Sequence, residues 1–115
     1  MLVFKDHAQM VDYKTKFKRS YKDHKRVLGK KHPQTIQTLR QLAEFYSSAC
    51  QFDKAKKLHG KTLRRSKRVL GKHHPIHIQS VESMFFHFHK QDDKVMAAKW
   101  ALEVSCRRLG ALGKA

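Results

Sequence analysis

The chain is short of acid: nine Asp and Glu stand against 26 Lys and Arg, a formal charge of +17 over 115 residues. The few carboxylates are scattered, so no pair is placed for general acid–base work. No glycine-rich phosphate loop or nucleophile elbow occurs either, and no enzyme activity is expected. Cysteine is almost as scarce. Cys50 and Cys106 form no CxxC pair and no disulfide framework, which suits a reducing, intracellular compartment, and both are expected to be buried thiols. No apolar stretch approaches membrane-spanning length, so no membrane insertion is expected. Met1-Leu2-Val3-Phe4-Lys5-Asp6 lacks the apolar run of a secretory signal, and Asp6 and Asp12 count against a transit peptide. These absences point to an intracellular, cytoplasmic setting, with an organelle left open. Five glycines and two prolines interrupt the chain, and no segment alternates with the period of a strand.

The dominant positive signal is a repeat. Val27-Leu28-Gly29-Lys30-Lys31-His32-Pro33 returns 42 positions later as Val69-Leu70-Gly71-Lys72-His73-His74-Pro75. A period of this length implies a supersecondary unit stacked on copies of itself, because one unit alone cannot bury its apolar face. Helical spacing runs throughout, from Met10, Tyr13, Phe17 and Tyr21 to Ile36, Leu39, Leu42, Ala43 and Tyr46, and on to Phe52, Ala55, Leu58 and Leu63. Gly29 and Gly71 are placed to close helices in a left-handed conformation, and Pro33 and Pro75 to open the next ones. Ile78, Val81, Phe85 and Phe88 face inward on the fourth helix. The fifth, about 93 to 109, has Asp92 and Asp93 as N-cap candidates and an apolar face of Val95, Ala98, Ala101, Leu102, Cys106 and Leu109. Arg108-Leu109-Gly110 echoes Val69-Leu70-Gly71 after only 39 positions, so the second unit is expected to be three residues shorter and to stop at Gly110.

The Leu-Gly-x-x-His-Pro connectors, together with Leu42-Ala43-Glu44-Phe45-Tyr46 and Phe52-Asp53-Lys54-Ala55, resemble the tetratricopeptide (TPR) repeats of the kinesin light chain and nephrocystin type. The resemblance covers about residues 9 to 110, with Cys50 in place of the usual turn glycine. It implies an all-α chain of about five helices, antiparallel hairpins stacked as a short TPR-like α-solenoid, forming one domain over 1–115. It also implies a non-catalytic protein–protein interaction scaffold. The first helix corresponds to the second half of a unit, which leaves Met10, Tyr13 and Phe17 short of a packing partner. Self-association, a neighbouring chain, or further sequence would cover them. Phe85 stands where the first unit has the small Ala43, a volume increase that a tight hairpin resists without rearrangement.

The charge is unevenly placed. Residues 14–31 hold nine basic residues against Asp23, and residues 54–72 hold nine with no acid, whereas 32–51 has only Arg40 and Glu44. In the implied architecture the basic runs fall on outer, convex helices. Lys14, Lys18, Lys22 and Lys25, then Lys57, Lys61, Arg64, Arg65 and Arg68, form ridges of like charge that call for an anionic counter-surface. That partner is either an acidic protein or peptide segment, or the phosphate backbone of RNA or a ribonucleoprotein. The concave stripe is expected to carry Gln34, Gln37, Gln41, Phe45 and Ser48, then Ile76, Gln79, Ser83, His87 and Lys90, whose amides and hydroxyls suit a peptide backbone. Nine histidines raise the question of a metal, yet His87 and His89 point in different directions, and His73 and His77 straddle a helix start. No metal and no cofactor is expected. Trp100, Phe45, Phe86 and Tyr21 are assigned to core packing, with Phe86 fitting that stripe least well.

Overall fold

The structure, a computed structural model, describes residues 4–113. Five helices follow one another: α1 (His7–Leu28), α2 (Pro33–Ser48), α3 (Phe52–Leu70), α4 (Pro75–Lys90) and α5 (Lys94–Gly113), with no strand among the described residues. Each helix packs against its successor. In addition α2 lies directly against α4, whereas α1, α3 and α5 make no such contact with one another. The result is a stack of helical hairpins with an inner row, α2 and α4, and an outer row, α1, α3 and α5, that fans apart. This is the short helical solenoid that the repeat implies.

The period is kept more strictly than the sequence suggests. Pro33 and Pro75, Ser48 and Lys90, and Phe52 and Lys94 are equivalent helix ends 42 residues apart. The expected three-residue shortening is therefore corrected: α5 runs through Gly110 to Gly113, the position equivalent to Gly71. Gly110 has a different role. A Cβ there would fall 2.4 Å from Cε1 of His73, so a larger residue would force the ring aside where the second connector presses on α5.

Both connectors are built alike. Gly29 and Gly71 take φ of 86° and 93° with ψ of 158° and 159°, and each N–H closes its helix on Lys25 or Lys67. This extended, positive-φ region is nearly exclusive to glycine and differs from the left-handed helical conformation anticipated. The imidazole Nδ1 of His32 accepts from the N–H of Gln34, and that of His74 from Ile76, both at 3.1 Å. These histidines are N-caps, satisfying a donor that the helix cannot, while proline follows at the position where its missing N–H costs nothing. Gly71→Ala meets no atom within 4 Å, so its whole cost is backbone strain. A loss of about 1–3 kcal/mol in urea unfolding is expected.

At the hairpin turns Cys50 and Asp92 adopt φ of 60° and 61°. Gln51 N–H reaches back to the Tyr46 carbonyl and Asp93 N–H to that of Phe88, each at 2.9 Å, closing the turn over the left-handed residue. That turn places Cys50 in solvent, and Cys106 also lies exposed on α5, which corrects the expectation of two buried thiols. Asp93, as anticipated, caps α5 by accepting from the N–H of Met96 at 3.1 Å.

The core is two clusters. In one, Leu42, Phe45, Tyr46 and Ala55 are buried beneath Phe4, Met10, Tyr13, Phe17 and Tyr21, so α1 closes over the first hairpin. In the other, Met84, Phe88 and Ala97 pack with Leu63, Phe85, Met96 and Trp100. Phe85 is only half-buried, beside Ala101 and Val104, its ring stacked on His89 at 5.8 Å. The extra volume relative to Ala43 is thus turned toward the edge of the hairpin. The apolar face assigned to α5 is a further correction. Ala97 is its one buried residue among those described, while Val95, Leu102 and Leu109 stand 80%, 69% and 69% exposed. Of the helices only α4 packs closely along α5, on the Ala97–Trp100 side, with His73 of the second connector against Gly110. Val27 and Val69 also remain exposed.

Candidate interaction surface

The inner row is largely occupied with itself. Gln37 donates through Nε2 to Oε1 of Gln79 at 3.1 Å, a bond between equivalent positions of the two units. Arg40 pairs with Glu44 and reaches Gln37 Oε1 at 3.1 Å, while Ser83 donates to Glu44 at 2.7 Å. This network links α2 to α4 and engages the amides of Gln37 and Gln79 and the hydroxyl of Ser83. Of the residues expected on the concave stripe, Gln34 and Gln79 are exposed, and Gln37 and Gln41 half-buried. Phe45, Ser83 and His87 are each buried to 1% exposure. Their expected place on an open surface is corrected: Phe45 packs on Phe4 and Tyr46, and Ser83 and His87 are bonded inside. Ser48 is buried as well, whereas Phe86, at 44%, is exposed as its poor fit to the stripe suggested.

Three buried histidines stitch the hairpins together. Ser47 Oγ lies 3.0 Å from both His59 Nε2 and His87 Nδ1, joining α2, α3 and α4 at one point. Ser66 Oγ lies 2.7 Å from His77 Nδ1. Desolvation lowers the pKa of His59 from 6.5 to about 3, with His87 and then Arg40 adding repulsion. The pKa of His87 is lowered by burial and then by Lys56. Burial also lowers that of His77, helped by Arg107 and Lys67 and opposed by Glu103. Neutral rings fit these bonds, since a hydroxyl can donate to one imidazole and accept from the other. The Ser–His contacts are buried and join neighbouring helices of the stack. His74 is engaged through Nδ1 as a helix cap and His77 through Nδ1 with Ser66.

The outer row is different. Lys14 and Arg65 are half-buried, and Lys18, Lys22, Lys25, Lys57, Lys61, Arg64 and Arg68 are exposed. None of these nine forms an ion pair among the described residues. The structure gathers some of them and separates others. Lys61, Arg64, Arg65 and Arg68 line one cleft of about 460 Å³ with Lys30 and Lys31 of the first connector. Lys18, Lys22 and Lys25 line another hollow along α1 with Arg19 and Asp23. Lys30 and Lys31 escaped the sequence reading because they sit in the variable positions of the connector, outside any helical ridge. The available signal was their adjacency, two lysines in a turn that must face the next helix. Arg65 donates to the Tyr21 hydroxyl at 3.1 Å, which fixes its guanidinium between α1 and α3.

Among the described residues no helix is long and apolar enough to cross a membrane. No curated protein and no solved structure matches the chain. Residues 35–76, running from the start of α2 to the start of α4, match a family model described as tetratricopeptide repeat, which supports a TPR-type repeat protein.

Proposed function

We propose that the chain is a non-catalytic protein-interaction scaffold of the kinesin light chain and nephrocystin type, acting inside the cell. It docks through its outer helices to an acidic protein segment or acidic assembly. The observation that carries this reading is the contrast between the two rows. Gln37, Arg40, Glu44, Gln79 and Ser83 of the inner row bond one another, whereas the nine ridge cations of α1 and α3 form no ion pair among the described residues and repel their neighbours. An anionic surface laid along α3 relieves that repulsion and steers association.

The test is binding of an acidic peptide of alternating Asp and Glu to the full chain and to the K57Q/K61Q/R64Q/R68Q variant. Loss of affinity by about 30-fold or more is expected, at roughly 0.5–1 kcal/mol for each exposed charge pair. The far-UV signal should not change. Unaltered affinity would move the binding surface to the inner row and end this reading. Binding should also weaken as salt rises. The acid-free lining of the α3 cleft keeps RNA as the second reading, which would lead if a folded RNA bound more tightly than the peptide at equal ionic strength.

A further inference from the structure

The cleft between the first connector and α3 has a composition of its own. It is lined by Lys30, Lys31, Lys61, Arg64, Arg65 and Arg68, with Val69 and no carboxylate. The hollow along α1, in contrast, includes Asp23 among its cations. We propose that the α3 cleft is a binding site for a compact polyphosphate, a small molecule carrying several phosphoryl groups on one scaffold. The proposal rests on the outer row being the docking face and deepens it by naming a ligand class for one part of it.

Within the cleft itself, charge density favours a compact ligand, while an acidic segment would lie along the exposed ridge of α3 that borders it. Six cations call for about six negative charges within a cleft of about 460 Å³. An extended peptide supplies one carboxylate per residue at about 3.3 Å rise, so six are spread over about 20 Å. A phosphoryl group carries about −1.5 to −2, and three or four on one ring suffice. Guanidinium forks match phosphoryl oxygens two at a time, and the cleft offers three of them. One, Arg65, is already held by Tyr21, which lowers the ordering cost of binding. Val69 is the one apolar side chain in the lining, so the site favours a ligand without an apolar body.

Inositol hexakisphosphate and tripolyphosphate are the probes, titrated into the full chain by calorimetry at physiological salt, with sulfate at equal ionic strength as reference. Saturable one-to-one binding is expected for the first and weaker binding for the second. R64Q/R65Q/R68Q should lose about 100-fold or more, at about tenfold or less for each charge-assisted contact. K18Q/R19Q/K22Q, which removes equal charge from the α1 hollow, should lose less than about threefold. K30Q/K31Q, confined to the connector, tests the site independently of any effect on α3 folding and should lose about tenfold or more. Equal losses in the α1 and α3 variants, or no saturation above the sulfate reference, would overturn the proposal. If the polyphosphates fail while the acidic peptide still binds through α3, the docking reading survives and the cleft assignment falls. If both fail, the two fall together.

Discussion

Acidifying from about pH 7.5 to 5 should destabilise the fold by about 2 kcal/mol through His59 alone. A buried imidazole whose folded pKa is about 3 against 6.5 binds fewer protons folded than unfolded between those values. Stability is therefore complete above about 6.5 and is lost progressively as the pH falls toward 3, at about 1.4 kcal/mol per pH unit. His87 and His77 are lowered for the same leading reason, burial, and act in the same direction. Protonating the pair at Ser47 would also place two cations on rings 5.3 Å apart, with Arg40 and Lys56 already acting against them. Against a total stability of about 5–15 kcal/mol this is a large fraction. Urea titrations at fixed ionic strength across this range measure it, above the range where ordinary carboxylates titrate. H59Q, which retains a polar group near Ser47, should flatten the slope by about the His59 share. A wild-type stability unchanged between pH 7.5 and 5 would mean that the three rings are not held neutral by the fold.

These histidines also mark where the sequence stopped being legible. The 42-residue spacing of the two connectors, the five helices, the connector glycines and prolines, and the Asp93 cap were readable, because each is a local rule that needs no knowledge of neighbours, whereas the full length of the second unit was not. His32 and His74 were recognised as connector residues, though their capping bond needed coordinates. What failed was assignment of faces. Phe45 and His87 fit an exposed helical stripe by spacing, yet their burial depends on which flank of α2 and α4 the outer helices cover. The α5 stripe of Val95, Leu102 and Leu109 is a genuine period-seven pattern that the single neighbour α4 leaves outside. Gly110 looked like a stop by analogy with Gly71, and only the His73 ring against it reveals its purpose. The outer basic ridges were legible as charge runs, but the cleft was not, since Lys30 and Lys31 meet α3 only through the fold.

Phe45→Ala should cost about 3–5 kcal/mol, the range for truncating a fully buried aromatic whose surroundings cannot collapse into the space. Its ring lies 5.5 Å from Phe4, 6.1 Å from Phe17 and 5.3 Å from Tyr46, so three aromatic neighbours lose their shared contact at once. The first of those contacts precedes α1, the second is on α1 and the third on α2 itself. Removing the ring therefore loosens the closure of α1 over the first hairpin as well as the interior of α2. Phe45→Leu keeps most of the volume and should cost about 1–2 kcal/mol, which separates cavity formation from loss of aromatic contacts. The same pair of variants decides what Phe45 is for. A residue lining an open inner surface would lose affinity for an acidic peptide with its unfolding midpoint unchanged. A core residue does the reverse at temperatures where the variant stays folded: the midpoint falls and the affinity holds, because the cations of α3 that would carry binding lie on the opposite row. Loss of affinity in a fully folded Phe45→Leu would return this side chain to the binding surface and reopen the inner row as the docking face.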